Sequence, residues 1–451
     1  MSIFKACDIR GIYPSELDER TAWLLGRAIA TRLNDQSVAV AGDLRVSTPQ
    51  LKERLIEGLL AGGAHVVDLG IIPTPVFYFG KSLLGTQGGV MVTASHNPGQ
   101  YNGFKIILGD LPVIPEDLSD LAALMRTGAF TSGAGRLEAR DVQDAYAASI
   151  ASAFGGLSRR RVVVDAGSGS FWQLAPRVLE ACGQEVLPLY CTPDGSFPNR
   201  DPNPAVAANL SATRQMVSDA HADLAVAFDG DGDRAVFIDE TGEVLKAEKV
   251  LVLLIRSLLC ANPGARVVYD IKSSSVVAEE VAAAGGVALP ERSGHAFIKR
   301  RLFEEGALLG GEVSGHYFIG KLERDDALYT AVLLLQVLDE LGMSLGQAAA
   351  TVASYPITPD LRIPCAPQEA QAIITELRGN LADWPQEHLD GVRILFEDGW
   401  ALARTSVTEP LITLRFEAHS VAALARIQQL TRQASPRLAA IWQPEPGKLS
   451  N

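Results

Sequence analysis

Short apolar runs rich in β-branched residues recur along most of the chain, each followed by a helical pattern. Val38-Ala39-Val40-Ala41 leads into Gly42-Asp43, Val162-Val163-Val164 into Asp165, and Val267-Val268-Tyr269 into Asp270. Each run ends at an aspartate, and a loop bearing Ser47, Ser168 or Ser273 then opens the helical pattern. Beyond each helix lies a second apolar run, at 64–69, 185–189 and 286–289. A third run follows in each case, at 89–92, 224–228 and 307–309. Alternation of this kind predicts βαβ units with largely parallel sheets.

The third run of each unit ends in a polar, Gly-rich or Ser-rich loop. These loops are Thr93-Ala94-Ser95-His96-Asn97-Pro98, Asp229-Gly230-Asp231-Gly232-Asp233-Arg234 and Gly310-Gly311-Glu312-Val313-Ser314-Gly315-His316. In parallel α/β sheets ligands sit outside the carboxyl ends of the strands, so three loops in one equivalent slot predict a shared cleft. The pattern changes near Ser354-Tyr355-Pro356 and Pro359. Alternating runs at 400–404 and 411–416 then flank a polar loop, and a helix begins near Ser420. A chain of 451 residues has room for three or four domains of ~150 residues or fewer. The expectation is three related α/β domains with mixed, largely parallel sheets at 1–140, 141–241 and 242–354. A smaller, hinged α+β domain at 355–451 completes a cleft at their junction.

Charge narrows the partners. Lys and Arg number 40 against 53 acidic residues, a net charge of −13. Such a chain is unsuited to general binding of nucleic acid or an anionic membrane, because both require a basic face. An anionic substrate would need basic residues gathered at one place. The first eleven residues carry Lys5, Asp8 and Arg10 and lack an apolar core of signal-peptide length. The most apolar stretch, 250–260, is broken by Arg256 and falls short of the ~20 residues of a membrane span. Five cysteines (7, 182, 191, 260 and 365) form no CxxC, so neither a disulfide framework nor a zinc site is suggested. A reduced, cytoplasmic protein is expected.

The three loops carry distinct chemistry. Asp229, Asp231 and Asp233 alternate, and Gly230 and Gly232 let the chain curl so that three hard carboxylates reach one ion such as Mg²⁺. A calcium loop of EF-hand type is the rival reading, since Glu240 stands at the twelfth position from Asp229. Its sixth position, however, is Arg234 instead of Gly, and strand-like runs flank it. A merely structural acidic turn would leave three anions repelling one another. Ser95 could cap a turn or act as a nucleophile or phosphate carrier, with His96 and Asn97 orienting the loop and Lys105 adding a cation. It lies outside the GxSxG frame of the hydrolases. Glu312, Ser314 and His316 offer the acceptors and donors that sugar hydroxyls use, or form a polar surface turn. His295 could equally be a satisfied, partly buried histidine. Arg404, Thr405, Ser406 and Thr408 could cradle a phosphate through an Arg fork, hydroxyls and loop amides, or form an ordinary solvated loop.

These four motifs, in this order, resemble the α-D-phosphohexomutase superfamily, most of all its bacterial phosphomannomutase/phosphoglucomutase branch. The resemblance runs from Lys5-Ala6-Cys7-Asp8-Ile9-Arg10-Gly11 to Arg415-Phe416-Glu417-Ala418 and includes Asp194-Gly195-Ser196-Phe197-Pro198-Asn199. It implies a phosphohexomutase that moves phosphoryl between O1 and O6 of mannose or glucose phosphate. The phosphoryl group would travel through a phosphoserine and a hexose 1,6-bisphosphate. It further implies Ser95 as the phosphoryl carrier and, with Asp229, Asp231 and Asp233, as a Mg²⁺ ligand, with Arg234 beside the phosphate. Lys105, Lys272 and His295 match positions of proton transfer and charge balance, and Glu312, Ser314 and His316 match the sugar-binding loop. Arg10 matches a cation near the cleft, and Arg404, Ser406 and Thr408 match the clamp on the phosphate that is not transferred. Two positions depart from the pattern: Cys7 where Tyr is frequent, and Val407 where a small or polar residue is usual. The implied partners are small hexose phosphates, with neither nucleic acid nor membrane, in a monomer or weak homodimer. The alternatives are a phosphoglucosamine mutase or a non-catalytic, calcium-stabilised sugar-phosphate-binding protein.

Overall fold

A computed structural model describes residues 3–34, 36–405 and 410–443. It contains four sheets, and three of them repeat one arrangement. In the first, Ser37–Gly42 pairs in parallel with His65–Ile71 on one side and Gly88–Val92 on the other. Arg161–Asp165 stands likewise between Glu185–Leu189 and Leu224–Phe228. Arg266–Asp270 stands between Val287–Glu291 and Leu309–Gly311. The strands are those read from the apolar runs, in the same order.

Each unit also has a strand that the runs did not announce. Tyr101–Leu108, Ala235–Asp239 and Tyr317–Ile319 return antiparallel to the third parallel strand. The polar loop of each unit is therefore the turn between its third parallel strand and this return strand. The first sheet extends further, with Ile9–Ile12 antiparallel to Tyr101–Leu108 and Arg136–Ala139 parallel to His65–Ile71.

One buried apolar cluster runs from Ala41 and Met91 through Val164 and Phe228 to Val267 and Leu309. The helices Ala247–Ala261 and Ala327–Leu341 contribute to it. Because the first three units share this core, opening a gap between them would expose apolar surface at roughly 25 cal/mol per Å². They therefore behave as one body. The stretch at 250–260, the most apolar in the sequence, spends its side chains on that core. No helix among the described residues is long and apolar enough to cross a membrane.

The fourth unit is built differently. Its five strands, in the order Leu361–Pro364, Leu411–Ala418, Gly399–Thr405, Val392–Phe396 and Gln386–Glu387, are all antiparallel. The helices Pro367–Asn380 and Val421–Ala434 cover them, over a separate core that includes Ile374, Leu414 and Ile427. It meets the third unit through Ile271, Ile357, Trp400 and Leu402. Beside them Glu417 accepts hydrogen bonds from Trp400 Nε1 and the Ser275 amide, each at 2.8 Å.

Candidate active site at the junction of the units

The Ser95 loop is set by groups buried behind it. Arg45 lies two residues past the aspartate that follows the first strand, and its side chain is fully buried. It donates from Nη2 to the carbonyls of Ser95 (2.7 Å) and Asn97 (2.6 Å). From Nη1 it donates to those of Pro98 (2.8 Å) and Tyr101 (2.9 Å). Its Nε donates to Asp43. Ser95 adopts φ 52°, a left-handed conformation that costs a non-glycine residue of order 1 kcal/mol or more. The Arg45 fork and the bond from the Ser95 amide to Thr93 Oγ1 (2.8 Å) hold it there. The side chain then points into the cleft, where Oγ donates to Asp229 Oδ2 at 2.6 Å and lies 3.2 Å from His96 Nδ1.

The acidic loop is a curl instead of an extended strand. At Gly232, φ is 80° and a Cβ would lie 2.4 Å from the Phe171 ring, so only glycine serves. The curl brings oxygens of Asp229, Asp231 and Asp233 within 4.8 Å of one another, all buried. Asp229 Oδ1 accepts from the amides of Gly232 (3.0 Å) and Arg234 (3.2 Å). Asp231 Oδ2 accepts from Thr74 Oγ1 and Lys105 Nζ, both at 2.7 Å, and Lys105 also bonds Asp233. Asp231 Oδ1 and Asp233 Oδ1 are buried with no hydrogen-bond partner. Orphaned carboxylate oxygens facing one point are what a hard divalent cation takes, so the donor set fits such an ion.

Burial and the neighbouring Asp231 and Asp233 push Asp229 up to about 8. Burial acts the same way on Asp231, but Lys105 and its hydrogen bond hold that carboxyl well below the usual range. Burial would lower Lys105, yet Asp231 and Asp233 keep it above the ordinary lysine value. The EF-hand reading fails here. Strands flank the loop, and Glu240 turns away to accept from Ser344 Oγ and the Gly346 amide.

The third loop completes the wall. Arg234 Nε donates to His316 Nε2 at 2.9 Å, and His316 Nδ1 lies 3.1 Å from Asp325 Oδ2. With Nε2 accepting, the histidine carries its proton on Nδ1, which donates a hydrogen bond to the Asp325 carboxylate. Glu312 accepts from Ser314 Oγ (2.9 Å) and the Gly294 amide (2.7 Å). His295 stacks on His316, with ring centroids 5.8 Å apart. Neither of its ring nitrogens has a hydrogen-bond partner, and burial followed by Lys105 pushes it well below the ordinary histidine value. It is a neutral imidazole. Arg10 joins the rim, donating to Asp8 (2.8 Å) and Asn97 Oδ1 (2.6 Å). Burial and Asp8 push the Cys7 thiol up to about 12, which leaves it neutral.

Ser95, Lys105, the three aspartates, Arg234, His295, Glu312, Ser314, His316 and Arg10 thus surround one cleft. Lys272 is directed to the fourth unit, 3.4 Å from Asp360. Arg404 pairs with Asp390 at 3.0 Å within that unit, and Ser406, Val407 and Thr408 lie outside the described residues. A cavity of about 760 Å³ opens beside Ser314, where Arg214, Lys246 and Arg415 gather. Sequence reasoning passed over Arg45, Thr74, Thr93 and Asp325. Only Arg45 carried a signal, an Asp-x-Arg at the end of a strand.

The description "Phosphoglucomutase/phosphomannomutase, alpha/beta/alpha domain I" matches residues 1–132, and its domain II and III counterparts match 144–242 and 246–355. The family's C-terminal domain matches 361–434. The chain is 38% identical over 441 residues to phosphomannomutase/phosphoglucomutase of Pseudomonas putida, covering 96% of this chain and 95% of that one. It is 34% identical over 457 residues to phosphoglucomutase of Neisseria meningitidis serogroup A, covering 98% of each. A crystal structure of a phosphoglucomutase/phosphomannomutase family protein from Burkholderia thailandensis superposes with a TM-score of 0.90 at 36% identity, covering 99% of this chain and 98% of that one.

Proposed function

The chain belongs to the phosphoglucomutase/phosphomannomutase family, and from that premise we propose that it interconverts the 1- and 6-phosphates of glucose, mannose or both. The observation that carries this reading is Ser95 Oγ at 2.6 Å from Asp229, inside a ring of buried carboxylates and cations. Phospho-Ser95 donates its phosphoryl group to the free hydroxyl of the bound sugar phosphate, giving a 1,6-bisphosphate. The bisphosphate turns end for end and returns its other phosphate to Ser95. In each transfer an O–P bond to one oxygen breaks as the bond to the other forms, and the hydroxyl proton leaves the attacking oxygen.

We assign the chain's groups as follows. His295 takes the proton of the attacking hydroxyl, being neutral and unpartnered at both nitrogens. Lys105 and Arg234 offset charge on the phosphoryl group, and His316 with Asp325 keeps Arg234 in place. Glu312 and Ser314 read two sugar hydroxyls that occupy similar positions in both orientations, which leaves O2 unread and admits glucose and mannose alike. Lys272 and Arg10 balance charge at the rim. Arg404, Ser406 and Thr408 clamp the other phosphate. Asp229, Asp231 and Asp233, together with a Ser95 phosphate oxygen, would hold Mg²⁺, which when bound supplies further neutralisation of the phosphoryl charge. The units that bring these groups together divide at 140/141, 241/242 and 354/355.

The test is a coupled assay of mannose, glucose and glucosamine 1-phosphates side by side, with mass analysis of the Ser95 peptide. Turnover of the first two with phosphate on Ser95 is expected. Preference for the amino sugar would move the protein to the phosphoglucosamine branch, and an unmodified Ser95 without turnover would leave only a binding protein.

A further inference from the structure

Behind the cleft, three basic side chains meet where the first unit packs on the third. Lys81 comes from the helix Thr74–Leu84 of the first unit. Lys299 comes from the helix His295–Glu304 and Arg324 from the strand Arg324–Asp325, both of the third. They are 8, 5 and 6% exposed, a degree of burial that a charged group tolerates only when paired or hydrogen-bonded. Their partners are incomplete. Lys81 makes no hydrogen bond, and Asp110, 3.5 Å away, has a side chain that is 79% exposed. Lys299 also makes none. Its Nζ sits 3.3 Å from the centre of the Tyr78 ring and 4.0 Å from Asp325 Oδ1. Arg324 is engaged on one edge by Asp326 through Nε and Nη2, each at 3.2 Å.

All three line one cavity of about 70 Å³, together with Asp110 and Glu323, both exposed. The cavity shares Ser82, Leu322, Glu323 and Arg324 with a larger one of about 430 Å³, flanked by Phe79, Tyr329 and Lys321. We propose that the smaller cavity binds a phosphate-type oxyanion, either free or as the phosphate of a small monoester. Lys81, Lys299 and the free edge of Arg324 supply the donors. Three cations on a half-open space of this size match the charge and bulk of such an anion, and the two carboxylates at the rim can turn to solvent. The anion would bridge the first and third units and steady Arg324, the residue that precedes the Asp325 acceptor of His316.

Equilibrium dialysis of the full-length chain with radiolabelled inorganic phosphate tests this. Phosphate inhibition of turnover is read in parallel as a report on the catalytic cleft. Lys81→Gln and Lys299→Met should each lose one phosphate per chain, with affinity at that site lowered roughly tenfold or more. The inhibition constant of Lys81→Gln should stay at the wild-type value. If both variants bind as many phosphates as wild type with unchanged affinity, the site does not exist. Phosphate lost together with the inhibition would place it in the catalytic cleft and equally refute the site. AMP dialysed in competition separates the sources. Displacement by AMP more tightly than by phosphate indicates a monoester whose body fills the larger cavity, and weaker displacement indicates the free ion. A chain without mutase turnover would still give the dialysis result, so the two readings fail separately.

Discussion

The Ser95 hydroxyl meets Asp229 and His96, and its backbone is held independently through Arg45 and Thr93. Ser95→Ala should therefore keep the fold and lose turnover by on the order of 10⁴-fold or more, as removal of a nucleophile does. Near-wild-type activity with bisphosphate activator present would refute the carrier role. Asp231 offers one oxygen to Thr74 and Lys105 and leaves the other unpartnered. An Asp231→Asn enzyme should lose activity and Mg²⁺ affinity together, on the order of tenfold or more each. Unchanged metal affinity by calorimetry would reduce the loop to a structural turn. Lys299 makes a prediction in pH. Burial pushes it down to about 8, with Asp325 opposing and Arg324, Lys105 and Lys81 adding to the shift. The unfolded chain should titrate near the ordinary value of 10.5. Between these values the folded protein has released a proton that the unfolded chain still binds, so stability rises with pH across that window. Below it both states are charged and the folded one bears the full burial cost. The raised thiols of Cys7 and Cys191 act in the opposite sense over the same range, so the test is the difference: denaturant midpoints of wild type should gain with pH relative to Lys299→Met across the window, and equal slopes would disprove it.

Among the elements, the loops matter more than the strands that carry them. Arg45 bonds four carbonyls of the Ser95 loop, a fork that lysine cannot reproduce although it keeps the charge. Arg45→Lys should fold, hold KM and lower kcat by roughly 10²-fold, the effect of a misplacement of about 1 Å. A kcat equal to wild type in a variant with a wild-type circular dichroism spectrum would show that the loop orients itself. Much of this level was legible in the chain. Apolar runs ending at Asp43, Asp165 and Asp270 marked the first strand of each unit, because a parallel strand buried on both faces has no polar residue until it ends. The return strands escaped notice because Tyr101–Leu108 and Tyr317–Ile319 follow the polar loops almost at once, with no helix between to mark a new element. What Asp165 binds was also hidden. Asp165 takes Arg200 from 35 residues downstream at 3.0 Å, and no local pattern encodes such a pairing. Lys299 and Asp325 were invisible for the same reason, since their environment is assembled from separate units. The three alternating aspartates were readable because the carboxylates themselves lie within one short loop, although Ser95, Thr74 and Lys105, which they meet, come from the first unit.

At the scale of the molecule, the first three units share a core whereas the fourth has its own. The fourth meets the third through a small apolar contact, the Ser275 amide on Glu417, and two ion pairs, Lys272 with Asp360 at 3.4 Å and Arg415 with Glu248 at 3.9 Å. The Lys272–Asp360 pair is partly exposed and contributes about 0–1 kcal/mol, and the Arg415–Glu248 contact is long at 3.9 Å, so rotation of the fourth unit on the third meets little resistance. Arg404 has Asp390 as its partner, an ordinary ion pair that a dianionic phosphate can replace. With a net charge of −13 the molecule repels hexose phosphates at long range, so attraction has to come from local cations such as Arg404. Substrate should therefore draw the fourth unit inward, closing the cleft over a bisphosphate that must turn without escaping. Solution scattering with xylose 1-phosphate, which lacks the C6 group, should show a smaller radius of gyration. Arg404→Ala should raise KM by on the order of tenfold or more, the value of one charged phosphate contact, and release more bisphosphate per turnover. Phosphorylation of Ser95 should persist in that variant, because its chemistry belongs to the three-unit body. A radius of gyration that ignores the ligand, together with an unaltered KM in Arg404→Ala, would show that the fourth unit is a fixed wall of the cleft and that retention of the intermediate rests on the other three.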